Sequence, residues 1–175
     1  MKLKVLGALL MCSLSLQSFA GLLIDPYIGY GQYRSTADFA KERSEAAGVT
    51  ALGSRLGYSF ILVSAGLDYQ VLETEDVFEE EASITNLSAF VGVDLPILFR
   101  FWAEYFFSSN IDSNESGVDY GFKDGYGLGV GFTGLPFVSL NLELENLNYE
   151  LEVGNTDFDY SVVQTVFSVS LPLDL

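Results

Sequence analysis

The chain of 175 residues contains no histidine and one cysteine. Histidine is the side chain that titrates near neutrality and the commonest metal ligand. Its absence excludes a Ser-His-Asp hydrolase and a histidine-bound zinc centre. Bases are scarce, with eight Lys and Arg against 24 Asp and Glu, a formal charge of −16. Nucleic acid is therefore excluded as a partner, because phosphate binding needs clustered bases. Long apolar runs are also missing. No stretch of 18 apolar residues follows residue 20, so no helix crosses a membrane. Acidic chains are commonly disordered, but 49% of the residues are hydrophobic and 14% aromatic. A disordered chain lacks such residues.

What is present begins with a leader. Lys2 and Lys4 precede an apolar run from Val5 to Leu16, and Ser18-Phe19-Ala20 places small residues where a signal peptidase reads. The expectation is a cleaved signal peptide at 1–20 and one folded domain at 21–175. Cleavage removes Lys2 and Lys4, which takes the formal charge from −16 to −18, and it also removes Cys12. The alternative, a lipoprotein anchored through Cys12, is disfavoured by Leu10-Met11, a poor lipobox.

Beyond residue 20 the apolar residues recur with period 2 in segments of about ten, the pattern of membrane strands. Eight segments are read, near 23–34, 48–59, 61–72, 83–94, 99–109, 125–132, 137–151 and 159–171. In the fifth, Phe99, Phe101, Ala103, Tyr105 and Phe107 alternate with Arg100, Trp102 and Glu104. In the seventh the apolar phase jumps from Leu144 to Leu147, and a β-bulge near Glu145 and Asn146 would re-aim the later side chains.

Connections alternate in length. Short ones fall near Phe60, at 95–98 and at 134–136, and long ones at 35–47, 73–82, 110–122 and 152–158. Pro26, Pro96, Pro136 and Pro172 fall on the short-turn side, where a closed sheet tolerates a missing donor. Fourteen acids fall in the long connections: Asp38, Glu42, Glu45, Glu73, Glu75, Asp76, Glu79, Glu80, Glu81, Asp112, Glu115, Asp119, Glu152 and Asp157. Ser35 to Ala47 is weighed as a short helix over the mouth. The fold class expected is all-β, an eight-stranded antiparallel up-and-down transmembrane β-barrel with periplasmic turns, periplasmic termini and extracellular loops.

The stretch GYGLGVGF at 125–132 fits this map. A dinucleotide loop needs its glycines between a strand and a helix, whereas this stretch continues as alternation. A barrel of eight strands is only wide enough for side chains to fill. Gly125, Gly127, Gly129 and Gly131 would then face a crowded interior beside Trp102 and Phe106.

With its leader, the first strand DPYIGYGQYR, the rhythm of short turns and long loops, and the closing strand VVQTVFSVSLPLDL, the chain resembles the small eight-stranded outer-membrane barrels of Gram-negative bacteria, the OmpA/OmpX-like transmembrane-domain superfamily. The resemblance covers the mature chain and implies an outer-membrane location and recognition of the last strand by the assembly machinery. That group often ends in an aromatic residue, whereas this chain ends in Leu175.

The candidate site is the set of inward polar residues: Arg55 and Arg100 among Asp25, Asp68, Asp94, Glu104, Glu143 and Glu145. Charges enclosed in a narrow barrel need partners, so a structural network is favoured over a proton path or pore. No cofactor, metal centre or catalytic residue is expected. The acidic stretch ETEDVFEEE at 73–81 reads as a solvated loop, with divalent cations bridging to lipopolysaccharide phosphates as the functional alternative. Tyr27, Tyr30, Tyr58, Phe60, Phe99, Phe101, Tyr105 and Phe107 are assigned to aromatic girdles. The function expected is a structural or surface-interaction barrel in contact with outer-membrane lipids. The alternatives are a narrow channel for small solutes and an outer-leaflet lipid-modifying enzyme.

Overall fold

A computed structural model describes residues 21–37, 45–74, 83–112, 119–153 and 156–175. Side chains are described for these residues except 36–37, 45–46, 119–120, 151–153 and 156–157. The leader lies outside the described residues.

Eight long strands follow one another: β1 Gly21–Ala37, β2 Glu45–Phe60, β3 Val63–Thr74, β4 Ser83–Leu95, β5 Phe99–Asp112, β6 Asp119–Phe132, β7 Ser139–Val153 and β8 Thr156–Ser170. A short β9, Leu173–Asp174, continues β8 beyond Leu171-Pro172 and pairs with Leu23 and Ile24 of β1. Each strand pairs antiparallel with the next in sequence, and β1 pairs with both β2 and β8. The sheet is a closed up-and-down barrel. Closure leaves no edge for lipid to meet, the condition for spanning hydrocarbon with strands.

The pleat separates two environments. Ile28, Leu52, Leu67, Val91, Tyr105, Leu128, Leu144 and Phe167 face outward and are exposed, while the alternate residues of the same strands are buried or half-buried. Both sets arise from period-2 alternation on a closed wall.

Four readings of the sequence are corrected by the structure. First, β7 carries no bulge near Glu145 and Asn146. Its register against β8 runs unbroken from Ser139 to Val153, and Glu143, Glu145, Leu147 and Tyr149 all point inward. The apolar phase jumps because the interior itself changes from polar to apolar. The bulges lie instead in β5, where Phe107 is the extra residue opposite Leu87 and Ser88, and in β6, at Lys123.

Second, the strands run beyond the apolar segments. Glu45, Glu73, Asp112, Asp119, Glu152 and Asp157 lie on strands rather than in loops, and only 154–155 separate β7 from β8. The remaining eight of those acids lie outside the described residues. Third, 35–37 and 45–47 are strand rather than helix, and 38–44 lie outside the described residues. Fourth, Tyr27 is buried inside the barrel and belongs to no girdle.

The ladder between β5 and β6 stops at Phe106↔Gly125, although both strands continue toward the long-loop end. The last outward pair below this fork is Tyr105↔Tyr126. Amphipathic rings of this kind settle at a membrane–water interface.

Candidate functional site

The interior has two layers. Toward the short turns lies a chamber of charged and polar side chains centred on Arg55 of β2. Its guanidinium lies between two rings, 4.4 Å from the Trp102 centroid and 4.7 Å from that of Tyr27. Four carboxylates surround it: Glu143 at 2.8 Å, Asp25 and Asp68 at 3.3 Å, and Glu104 at 3.8 Å. Only the Asp25 contact is an aligned hydrogen bond; Nε and Nη2 meet Asp68 and Glu143 as ion pairs without hydrogen-bond geometry. Asp25 also accepts from Arg100 at 3.2 Å, and Arg100 donates to the half-buried Asp94 at 2.7 Å.

The register explains these meetings. Asp25, Arg55 and Asp68 are cross-strand partners along β1, β2 and β3, and Asp94 pairs with Arg100 across β4 and β5. Neutral side chains complete the chamber. The Tyr27 hydroxyl donates to Asp68 at 3.0 Å, the Trp102 indole to Glu104 at 2.6 Å, and the Ser88 hydroxyl to Glu104 at 3.1 Å. Glu145 stands apart from the arginines and is held by the Gln164 and Gln70 amides. Gln70 in turn accepts from Asn86 at 2.9 Å.

Toward the long loops the interior turns apolar. Val49, Ala51, Leu72, Ile84 and Val166 form one cluster, and Phe106, Leu147, Tyr149 and Val162 form another. These layers lie one above the other along the barrel. The glycine column of β6 makes room for the large side chains. A Cβ on Gly129 would fall within the Trp102 indole, and one on Gly125 would lie 2.7 Å from the Leu147 side chain.

All eight sequence-derived residues therefore point inward, and seven of them join through the two arginines. Sequence reasoning missed the Tyr27–Arg55–Trp102 stack and the apolar layer. The phase jump in β7 is the signal that carried the latter. Oxygens of Asp68, Glu104 and Glu143 lie within 4.8 Å of one another, the spacing of a cation site. The Arg55 guanidinium already lies against all three.

Above the apolar band, Lys123 donates to Asp159 at 2.7 Å and lies 3.1 Å from Glu150. These contacts, the hydrogen bond to Asp159 foremost, raise the Lys123 ammonium above its ordinary value. Exposed pairs of this kind add little stability.

No family model matches the chain, and no curated protein matches it. Solved structures do. Neisserial surface protein A aligns at 12% identity with a TM-score of 0.58, covering 85% of this chain and 96% of that one. AlkL, determined in lipid bilayers, aligns at 10% identity with a TM-score of 0.55, covering 90% and 92%. Ail of Yersinia pestis, solved with the heparin analogue sucrose octasulfate, aligns at 13% identity with a TM-score of 0.54, covering 87% and 99%. At these identities the likeness is one of fold. The chain has the fold of the small outer-membrane β-barrels.

Proposed function

We propose that this chain is an integral outer-membrane protein whose barrel is closed to solutes and whose role is structural or surface-interacting. The observation that carries this reading is the filled interior. Arg55, wedged between Tyr27 and Trp102 and paired to four carboxylates, occupies the polar chamber. The layer above it is filled mainly by apolar side chains, and its polar groups, Ser109, Asn86 and the Tyr149 hydroxyl, are bonded to one another.

The outward band of aliphatic and aromatic side chains supports contact with outer-membrane lipid. The strand extensions beyond it carry Asp112, Asp124, Glu150 and Asp159 and supply the surface on which recognition would occur. Assembly machinery and lipopolysaccharide belong to the same reading as partners. The pairing of the described interior carboxylates with arginines and amides supports a non-enzymatic role.

Planar-bilayer recording tests the closure. The purified mature chain should leave the bilayer at its background conductance. Discrete ion-selective steps whose frequency scales with added protein would favour the channel reading instead.

A further inference from the structure

The short-turn end of the barrel is unusually apolar for a surface that faces water. Its three turns read Phe60-Ile61-Leu62, Pro96-Ile97-Leu98 and Leu135-Pro136-Phe137, and the chain closes with Leu171, Leu173 and Leu175. Ile61, Ile97, Phe137 and Leu175 are exposed, Phe137 by 84%. Scattered exposed apolar residues need no explanation, but a contiguous ring of them marks an interaction surface.

The backbone makes the point sharper. Ile61, Leu98 and Phe137, one in each turn, have φ of 58°, 69° and 70°. That left-handed region favours glycine or asparagine, and a β-branched or bulky residue there is an outlier. Apolar side chains occupy all three positions despite that preference.

Some polar groups of this end are tied up by backbone hydrogen bonds. The Leu62 carbonyl accepts from the Asp94 amide at 2.7 Å, and the Leu98 carbonyl from the Thr133 amide at 2.8 Å. Leu22 and Leu175 exchange two backbone hydrogen bonds, at 2.9 and 3.0 Å. Pro96, Pro136 and Pro172 supply no amide hydrogen at this rim. Few unsatisfied donors and acceptors are what an apolar medium requires.

Height supports the same reading. From Phe99 to Phe107 the outward apolar residues of β5 span eight steps. At about 3.3 Å per residue and a tilt of about 40°, that is roughly 20 Å along the barrel axis. A membrane barrel presents an apolar band of about 25 Å. The turns supply the missing height.

From these observations we propose that the short-turn rim is seated in the acyl and interfacial region of a lipid leaflet rather than in water. This rests on the membrane reading above and adds to it where the barrel sits. The rim's exposed Asp174 carboxylate, which accepts a hydrogen bond from Ser59 at 2.7 Å, then lies at headgroup level.

The test places a single spin label at Ile97→Cys, Phe137→Cys or Leu135→Cys of the mature chain, which has no other cysteine once the leader is removed. Controls carry the label at Leu128→Cys, in the outward band, and Asn110→Cys, above the fork. Each variant is checked for a heat-shifted folded band and reconstituted in phosphatidylethanolamine–phosphatidylglycerol vesicles. Collision with oxygen is then compared with collision with a water-soluble nickel chelate.

The expected result is an oxygen-to-nickel ratio at the turn sites that matches Leu128→Cys and exceeds Asn110→Cys. Turn sites that match Asn110→Cys while Leu128→Cys stays oxygen-rich would overturn the proposal alone, and assign the apolar rim to a protein partner. A nickel-accessible Leu128→Cys would overturn the membrane reading itself.

Discussion

Arg55→Met should destabilise the barrel by roughly 3–5 kcal/mol, the usual cost of removing one partner from a buried charge network. The substitution preserves much of the side-chain length and leaves Glu143, Asp25, Asp68 and Glu104 facing one another without their shared cation. Arg100 cannot replace it. Its guanidinium reaches only Asp25 and Asp94 of this network.

Arg55→Lys should fall between Met and wild type. Lysine restores the charge but lacks the planar fork that pairs with several carboxylates while stacking on rings. Adding Glu143→Gln to Arg55→Met should recover part of the loss, because one of the stranded charges is then gone. Urea unfolding of the protein in vesicles reads all four proteins. An Arg55→Met midpoint equal to wild type would mean that the chamber is hydrated enough to do without its cation.

Trp102→Ala should cost a similar roughly 3–5 kcal/mol, through the cavity left in place of the indole. The indole fills the space above Gly129, donates to Glu104 and covers one face of Arg55. Its loss therefore removes packing, a hydrogen bond and a cation–π contact together.

The reciprocal substitution separates packing from the rest. Gly129→Ala should cost about 1–3 kcal/mol in the wild type, because the added methyl meets a rigid ring. In the Trp102→Ala background the same change should cost less than about 1 kcal/mol, since the obstacle is absent. A cost that is equal in both backgrounds would mean that Gly129 is there for its backbone rather than for Trp102.

The same pair of residues shows why the fold was legible. A barrel wall has two environments and a side-chain period of two, so Tyr126, Leu128, Val130 and Phe132 could be separated from the glycines between them. Cross-strand geometry was less accessible. Arg55 and Asp25 were both read as inward, but their direct pairing depends on the β1–β2 register, which the pattern alone does not fix.

The interior of β7 was misread for a different reason. Taking apolar to mean outward works while the inside is polar. It fails where Leu147 and Tyr149 enter the apolar layer. Strand ends were hidden as well. The backbone pairing of β7 with β8 continues to Val153↔Thr156, through Glu152 and Asp157, which the sequence reading had placed in a loop.

The fold also explains how a very acidic chain can be very apolar. Among the described residues most carboxylates lie in two places, a chamber neutralised in part by two arginines and the strand extensions beyond the fork. Between them the wall presents hydrocarbon outward. Each zone suits its own solvent, which is what membrane insertion demands of a strand protein.

The most direct check of this account is electrophoretic mobility of the protein in the outer-membrane fraction, loaded in detergent with and without boiling. The expected result is a faster-migrating band in the unboiled sample, from a closed barrel that resists the detergent. Recovery of the protein in the soluble periplasmic fraction, with one mobility regardless of heating, would contradict the lipid-facing assignment of Ile28, Leu52, Leu128 and Phe167.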